Sequence, residues 1–233
     1  MPVAPLRALI TGFGPFPGII DNASEAFAPL LAHRAAEQLA HLQASAAILP
    51  TEWDAAPRIL RRLFEELQPH ICLHLGVVGG ARELILETIA RNSASAKPDA
   101  IGALPSGKVL LDGAPYYLMP SVATVRMINR ARHRGLPVSA SIQPGDYICN
   151  ALFFHSLMAA RGLNKSGVTR RLVAFVHLPV RVGGAGLAED SSLNDHNLPI
   201  EGAVAGALAI LAAMADQMRA LSPGFGMGFA TAD

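Results

Sequence analysis

The chain has few cysteines, a nearly balanced number of positive and negative charges, and no long uninterrupted apolar run. It contains 233 residues with 2 cysteines, and its formal net charge is +1. Two cysteines allow at most one bridge, which excludes a disulfide-built secreted scaffold. A balanced charge gives no electrostatic reason to expect nucleic acid or an anionic membrane surface as a partner, so we expect neither.

Apolar stretches are short at the start of the chain and elsewhere. Ala8–Ile10 is interrupted at once by Thr11 and Gly12, so no signal sequence is predicted. The longest stretch, Ala203–Ala215, is too short to span a bilayer and predicts a buried helix. Hydrophobic residues nevertheless make up 51% of the chain, which is ample for a core. We therefore expect a cytoplasmic globular protein, in a reducing compartment where a free thiol persists.

Short apolar runs alternate with segments of helical period. The predicted strands are Leu6–Gly12, Ala44–Leu49, Ile71–Leu75, Leu84–Ala90, Val138–Ile142 and Leu172–His177. The predicted helices are Glu25–Leu42, Ala55–Leu67, Ser121–Arg134, Tyr147–Arg161 and Ile200–Leu221. This alternation predicts an open, mainly parallel sheet that helices cover on both faces, in a single domain over residues 1–233. Such sheets bind ligands outside the carboxyl ends of their strands.

One cysteine follows a strong turn signal. Pro144 and Gly145 predict a turn, and the next helix begins near Asp146, so Cys149 falls in its first turn. Unpaired backbone N–H groups and the helix dipole favour a thiolate there, which would make Cys149 a nucleophile. On this segment alone, a buried structural cysteine is an equal alternative.

A histidine ends an apolar strand and is followed closely by a proline. His177 is thereby placed at the edge of the sheet where ligands bind, with Pro179 two residues later. It could take a proton from Cys149 and return it to a leaving amine. Taken by itself, the segment favours a strand-end histidine that is hydrogen-bonded only to backbone.

A carboxylate interrupts another apolar strand. Glu87 lies within Leu84–Ala90, where a charge is costly unless it is paired. The pattern fits a buried acceptor that orients a histidine through its second ring nitrogen. The alternatives are a solvent-facing Glu87 on an edge strand, or Glu83 in the same role.

The loop Thr11–Gly18 is rich in glycine and proline. Its spacing differs from a dinucleotide-binding fingerprint, and Pro15 and Pro17 disfavour a helix that starts at the glycines. Phe13 and Phe16 instead suggest an aromatic slot, with core packing as the alternative for each.

Other candidate side chains have simpler interpretations. Cys72 lies in a strand with His70 and His74 at alternate positions, where packing is favoured over metal binding because no metal motif is present. Asp190 and Asp195 could supply the third member of a catalytic set, although a solvated loop is the favoured interpretation.

Taken together, four segments resemble the pyroglutamyl peptidase I family, also called the pyrrolidone carboxyl peptidases. In chain order they are Ile10–Gly18 with Asn22, Gly76–Ala81 with Glu87–Asn92, Gly145–Asn150, and Phe175–Pro179. The order glutamate, cysteine, histidine matches this family and differs from papain-like peptidases, in which the cysteine comes first.

The resemblance implies a cysteine peptidase that acts on pyroglutamyl peptides. By resemblance Cys149 is the nucleophile, His177 the general base and acid, and Glu87 the orienting carboxylate. The substrate-binding residues implied in the same way are Phe13, Phe16, Asn22, Lys97, Tyr147 and Ile148. The resemblance also implies a three-layer αβα sandwich, no metal or cofactor, and a homodimer or homotetramer. An N-cap is the structural alternative for Asn22.

The chain departs from the family pattern at four positions. Ala81, Thr88 and Lys97 stand where the family has arginines, and Pro144 stands where it has a small residue. Lysine lacks the bidentate geometry of arginine. Two other functions stay open: a divergent relative that acts on another small N-terminal lactam or amide, and a non-enzymatic binding module. The intact glutamate–cysteine–histidine set argues against the binding module, which would need no activated thiol.

Overall fold

A computed structural model of the chain describes residues 5–166 and 170–221, with the backbone alone for residues 163–166. Its strands are β1 Leu6–Phe13, β2 Ile19–Asp21, β3 Leu42–Leu49, β4 Ile71–Val77, β5 Leu84–Glu87, β6 Ala90–Arg91, β7 Tyr117–Leu118, β8 Val138–Ser141, β9 Leu172–Leu178, β10 Arg181–Val182, β11 Leu187–Ala188 and β12 Asn197–Leu198. Its helices are α1 Ala23–Gln38, α2 Ala55–Leu67, α3 Thr124–Arg132, α4 Ile148–Ser166 and α5 Ile200–Leu221, with a short 3-10 helix at Ser191–Asn194.

Six strands form the central sheet, in the order β3-β1-β4-β9-β5-β8. β3, β1, β4 and β9 run parallel to one another. β5 pairs antiparallel with β9 and parallel with β8, so the strand direction reverses once, between β9 and β5. The mainly parallel sheet predicted from the sequence is confirmed, and the reversal proves important for the candidate site.

Alternate side chains of the central strands enter two separate buried clusters. Leu73 of β4 and Val176 of β9 pack in the cluster beneath α1, α3 and α5. Cys72 of β4 and Phe175 of β9 pack in the cluster beneath α2 and α4. Because side chains alternate between the faces of a strand, this segregation gives a three-layer αβα arrangement.

Helix α5 is a core helix. By length and composition alone it could cross a membrane, but half of it is buried within the structure. Ile210 and Leu211 are fully buried against the sheet. Gly206 permits the close approach, because a Cβ there would lie 2.8 Å from Leu84 Cδ1. The buried helix predicted from the apolar stretch 203–215 is therefore observed.

Several predicted elements have different ends in the structure, and in two of them the difference has a clear cause. Helix α1 ends at Gln38 and not at Leu42, because His41 adopts a φ of 67° and turns the chain directly into β3. The single strand predicted over residues 84–90 is two strands, β5 and β6, that pair with different partners. The periodicity of residues 84–90 could not reveal this exchange of partners.

Candidate active site

The turn before α4 brings Cys149 to the carboxyl end of β4. Gly145 has a φ of 74°, a conformation that glycine adopts readily. Helix α4 begins at Ile148, so Cys149 lies in its first turn, as predicted. A Cβ on Gly76 would lie 2.8 Å from Cys149 Sγ, so this glycine makes room for the thiol. The free N–H groups of a helix start favour negative charge here.

His177 lies beside that thiol because of strand register. Gly76 of β4 pairs with His177 of β9, and His177 faces the same side of the sheet as Phe175. The rings of Phe175 and His177 are 4.8 Å apart, centroid to centroid. His177 is buried, and Cys149 lies close enough to raise the pKa of its imidazole.

The antiparallel strand β5 supplies the carboxylate. Ile85 lies opposite His177, and Glu87 follows two residues later on the same face, as a diagonal neighbour of the histidine. Glu87 Oε1 and His177 Nδ1 are 2.8 Å apart. Glu87 is only 2% exposed, which excludes the solvent-facing alternative. A buried carboxylate in an apolar strand is thus paired with an imidazole.

These neighbours set the charge of the imidazole. Burial alone lowers the pKa of His177, since it penalises the imidazolium. Hydrogen bonds to Cys149 and Glu87, together with their negative charges, act against this and raise the pKa of His177 to about 9. At neutral pH the ring is therefore protonated, which places a positive charge beside the Cys149 thiol.

A cavity of about 520 Å³ opens over Cys149 and His177. Its other lining residues are Phe16, Pro17, Gly18, Ile19, Val77, Val78, Gly79, Lys97, Pro98, Gln143, Pro144, Gly145, Tyr147 and Leu193. The wall is mostly apolar. Among the described residues that line it, Lys97 is the one amine and there is no carboxylate. A neutral, largely apolar group therefore fits the cavity better than an ammonium group does.

Three of the predicted substrate-binding residues line the cavity: Phe16, Lys97 and Tyr147. The rings of Phe16 and Tyr147 lie 5.6 Å apart. The Tyr147 hydroxyl donates to the Pro98 carbonyl oxygen at 2.9 Å. Burial, and to a smaller extent the charges of Asp99 and Cys149, raises the pKa of Tyr147 to about 12, so the phenol stays neutral.

The other three predicted substrate-binding residues, Phe13, Ile148 and Asn22, do not line the cavity, and their role in substrate binding stays a prediction. Phe13 and Ile148 are 1% and 0% exposed and pack in the cluster beneath α2 and α4. Core packing, the alternative given for Phe13, is what the structure shows. Asn22 caps α1, since its Oδ1 accepts from Ser24 N–H at 3.1 Å, and its Nδ2 donates to the Gly14 carbonyl oxygen at 3.0 Å.

The weaker candidates lie away from the cavity. Cys72 and His74 are fully buried inside β4, and His70 precedes that strand. Within residues 5–166 and 170–221, no group of three or more His, Cys, Asp or Glu side chains could hold a metal ion. Asp190 and Asp195 are exposed and do not line the cavity.

Two close contacts near the cavity were not predicted from the sequence, although Gly76 belongs to a segment on which the family resemblance rests. Gly76 matters because of its distance to a thiol on another element, which no local pattern reveals. Leu193 comes from the 3-10 helix, and its Cδ2 lies 3.0 Å from the position that a Cβ on Gly79 would occupy. The cluster of glycines after β4 was the one available signal, because glycine often marks close approach of other groups.

An αβα sheet that places a thiol beside an imidazole, with a buried carboxylate bonded to that imidazole, has the arrangement of a cysteine hydrolase. The profile of one such family, described as pyroglutamyl peptidase, matches residues 6–217. This match spans most of the chain, and the chain belongs to the pyroglutamyl peptidase family.

Individual relatives agree with the family assignment. The pyrrolidone-carboxylate peptidase of Lactobacillus helveticus is 32% identical over 177 residues, which cover 75% of this chain and 84% of the relative. That of Pyrococcus furiosus is 28% identical over 177 residues, covering 75% and 81%. The crystal structure of Bacillus amyloliquefaciens pyroglutamyl peptidase I superposes with a TM-score of 0.74 at 25% identity, covering 90% of this chain and 97% of that one.

Proposed function

We propose that this protein is a cysteine peptidase that removes an N-terminal pyroglutamyl residue from peptides. The observation that carries the proposal is the Glu87–His177 hydrogen bond next to Cys149, with Cys149 and His177 both lining a cavity that no carboxylate lines within the described residues. These three residues supply the chemistry, and the cavity wall supplies the preference for a neutral N-terminal group.

Acylation begins with Cys149 as a thiolate beside protonated His177. The Cys149 thiolate attacks the carbonyl carbon of the pyroglutamyl residue, and the carbonyl oxygen becomes an oxyanion near the N-terminus of α4. As the C–N bond breaks, the His177 imidazolium gives its proton to the leaving amine. The shortened peptide departs with a free N-terminus, and the pyroglutamyl group remains as a thioester on Cys149.

Deacylation restores the starting state. Neutral His177 takes a proton from water while the water oxygen attacks the thioester carbonyl. The C–S bond breaks, pyroglutamate leaves, and Cys149 returns to thiolate beside protonated His177. Glu87 keeps the ring oriented through Nδ1 and stabilises its positive charge in both half-reactions. The proposed steps use protein groups and water alone.

The substrate preference follows from charge in the cavity. A pyroglutamyl lactam is flat and uncharged, so it can lie against Phe16 and Tyr147. A prolyl residue has nearly the same shape but carries a charged secondary amine. Burying that charge beside Lys97 without a counter-ion costs several kcal/mol, and groups that pair with the lactam would be left unpaired. In this proposal Phe13, Ile148 and Asn22 support the wall from behind.

Three further proposals come from the sequence, and of these only the assembly derives from the family resemblance. Residues 1–233 form one catalytic domain, the chain assembles as a homodimer or homotetramer, and the protein works in the cytoplasm. Light scattering on the purified protein tests the assembly, and a monomer at working concentration would contradict it.

The activity is tested by release of a reporter amine from pyroglutamyl, prolyl and alanyl conjugates. We expect rapid release from the pyroglutamyl conjugate and little from the other two. Equal cleavage of the prolyl conjugate would remove the pyroglutamyl preference and leave only a cysteine hydrolase. Absence of release from the pyroglutamyl conjugate would overturn the proposed function.

A further inference from the structure

We propose that Asn150 is a positioning residue, whose side-chain amide fixes the first turn of α4 against the chain segment that follows Glu87. It thereby sets the distance between the Cys149 thiol and the His177–Glu87 pair. The inference rests on the proposed function, because that function makes this distance matter.

The amide of Asn150 is buried and makes three hydrogen bonds. Asn150 is 1% exposed. Its Oδ1 accepts from Arg91 N–H at 2.7 Å, and its Nδ2 donates to the carbonyl oxygens of Arg91 at 2.9 Å and Ser93 at 3.1 Å. One side chain thus satisfies both backbone groups of Arg91, as a neighbouring strand would.

This contact joins the two segments that carry the reacting groups. Asn150 directly follows Cys149 in α4, and Arg91 lies four residues after Glu87 in the chain. Because β5 ends at Glu87, the backbone from there to Arg91 fixes where α4 begins relative to the carboxylate. A shift of that turn would move the thiol away from His177 while leaving the Glu87–His177 bond in place.

Two other hydrogen bonds join the same segments further from the thiol. Ser95 N–H donates to the Asp146 carbonyl oxygen at 2.8 Å, and Tyr147 donates to Pro98. Residues 91–98 and 146–150 therefore run side by side. Since these bonds hold the segments together, loss of the Asn150 amide should displace the first turn of α4 without unfolding the protein.

The chemistry of the amide makes a sharp test available. Asparagine offers an acceptor to Arg91 N–H and donors to two carbonyl oxygens. In Asn150→Asp, an ionised carboxylate keeps the acceptor but turns an oxygen toward those carbonyls, whereas a protonated carboxyl can donate once again. Asn150→Ser removes the contacts without adding charge near Cys149.

Asn92 provides a matched control in the same segment. It is 5% exposed, and its Oδ1 accepts from Leu110 N–H and Leu111 N–H, both at 2.9 Å. Its Nδ2 donates to the Leu111 carbonyl oxygen at 2.8 Å. Asn92→Asp therefore causes the same chemical change in a buried amide, but in one that holds a loop and not α4.

The experiment compares kcat, KM and melting temperature for the three variants and the wild type, using a pyroglutamyl reporter conjugate over a range of pH. For Asn150→Asp and Asn150→Ser we expect kcat to fall roughly a hundredfold, as for a misplacement of about 1 Å, with KM little changed. The kcat ratio of Asn150→Asp to wild type should rise as the pH falls. For Asn92→Asp we expect a lower melting temperature and a kcat within about threefold of wild type.

If Asn150→Ser and Asn92→Asp lose stability to the same extent and both keep the wild-type kcat, Asn150 only stabilises the fold and the proposal is overturned. Asn150→Ser alone decides the matter if Asn150→Asp does not fold. Should the wild type fail to cleave pyroglutamyl conjugates, the proposed function fails separately. The alkylation rate of Cys149 then tests positioning: a slower rate in Asn150→Ser than in Asn92→Asp supports it, and equal rates overturn it.

Discussion

The face of the sheet that α2 and α4 cover carries two cysteine–histidine pairs, and the pKa values of the two histidines are shifted in opposite directions. At the cavity, Cys149 is half-buried and the pKa of His177 is raised to about 9. Inside β4, burial raises the pKa of Cys72 to about 12. Burial, and to a smaller extent the charge of Arg171, lowers the pKa of the nearby His74 to about 3.

The partners of the two imidazoles explain this difference. His74 Nδ1 is 2.8 Å from Thr11 Oγ1, and its Nε2 is 2.8 Å from Ser156 Oγ, so both of its hydrogen-bond partners are neutral hydroxyls. His177 has Glu87 at the same distance. A cysteine and a histidine on the same face of a sheet are therefore not enough for a reactive pair. The pair also needs a buried carboxylate beside the histidine and access to a cavity, and mutation can test each of these requirements separately.

The largest expected effect separates the two cysteines. Cys149→Ala should abolish turnover with the fold intact, because no other thiol reaches the cavity in the described residues. Cys72→Ala should keep most of the activity. Steady-state rates and melting curves of both variants measure this. Wild-type turnover in Cys149→Ala would show the proposed mechanism to be wrong.

The next effect separates the two histidines. His177→Ala should lower kcat on the order of a hundredfold or more, because proton transfer is lost. His74→Ala leaves buried hydroxyls of Thr11 and Ser156 without their partner, at about 1–3 kcal/mol of unfolding free energy, with kcat nearly unchanged. Denaturant titration and kinetics check both expectations, and a reversal of the two outcomes would contradict the comparison.

A smaller effect concerns the carboxylate. Above pH 9 wild-type His177 is deprotonated and cannot protonate the leaving amine, so activity should fall as the pH rises through about 9. Glu87→Gln removes a group that raises the pKa of His177, so kcat should fall and the alkaline decline should begin at lower pH. A pH–rate profile of both proteins measures the shift. An unchanged profile would mean that Glu87 does not act on His177.

The same raised pKa makes stability depend on pH. Because the pKa of His177 lies above its ordinary value of 6.5, its contribution to stability is complete below about pH 6.5 and is lost as the pH rises through about 9. The melting temperature of the wild type should therefore fall more than that of His177→Ala over this interval. Parallel melting curves would contradict this assignment.

The smallest effect on turnover separates the two phenylalanines. Phe16→Ala should raise KM for the pyroglutamyl conjugate with little loss of stability, because Phe16 lines the cavity. Phe13→Ala should cost about 3–5 kcal/mol of unfolding free energy, since it empties a core position. A Phe13→Ala variant that stays stable but loses substrate affinity would restore the predicted aromatic slot.

Much of the fold could be predicted from the sequence because it depends on local periodicity. The apolar runs gave five of the six central strands nearly as observed, and the turn at Pro144 placed Cys149 in the first turn of a helix. The pairing of Glu87 with His177 could be proposed from residue types. Its geometric cause, the antiparallel direction of β5, lies in tertiary topology and was not predicted.

The predicted pocket residues show what the sequence pattern leaves undecided. Phe13 and Phe16 occupy one glycine- and proline-rich segment, yet Phe13 still belongs to β1 and faces the core, while Phe16 follows the strand. Ile148 lies at the start of α4, on the buried side of the helix. Asn150 gave no separate signal, because its three hydrogen bonds join segments that are distant in the sequence. In each case the deciding factor is packing between elements.

The most direct test of the account is iodoacetamide labelling of the native protein, with peptide mapping of both cysteines and turnover measured on the same samples. Pyroglutamyl turnover should fall in proportion to the modification of Cys149, while buried Cys72 stays unmodified. Turnover that survives full modification of Cys149, or that declines in step with Cys72, would contradict it.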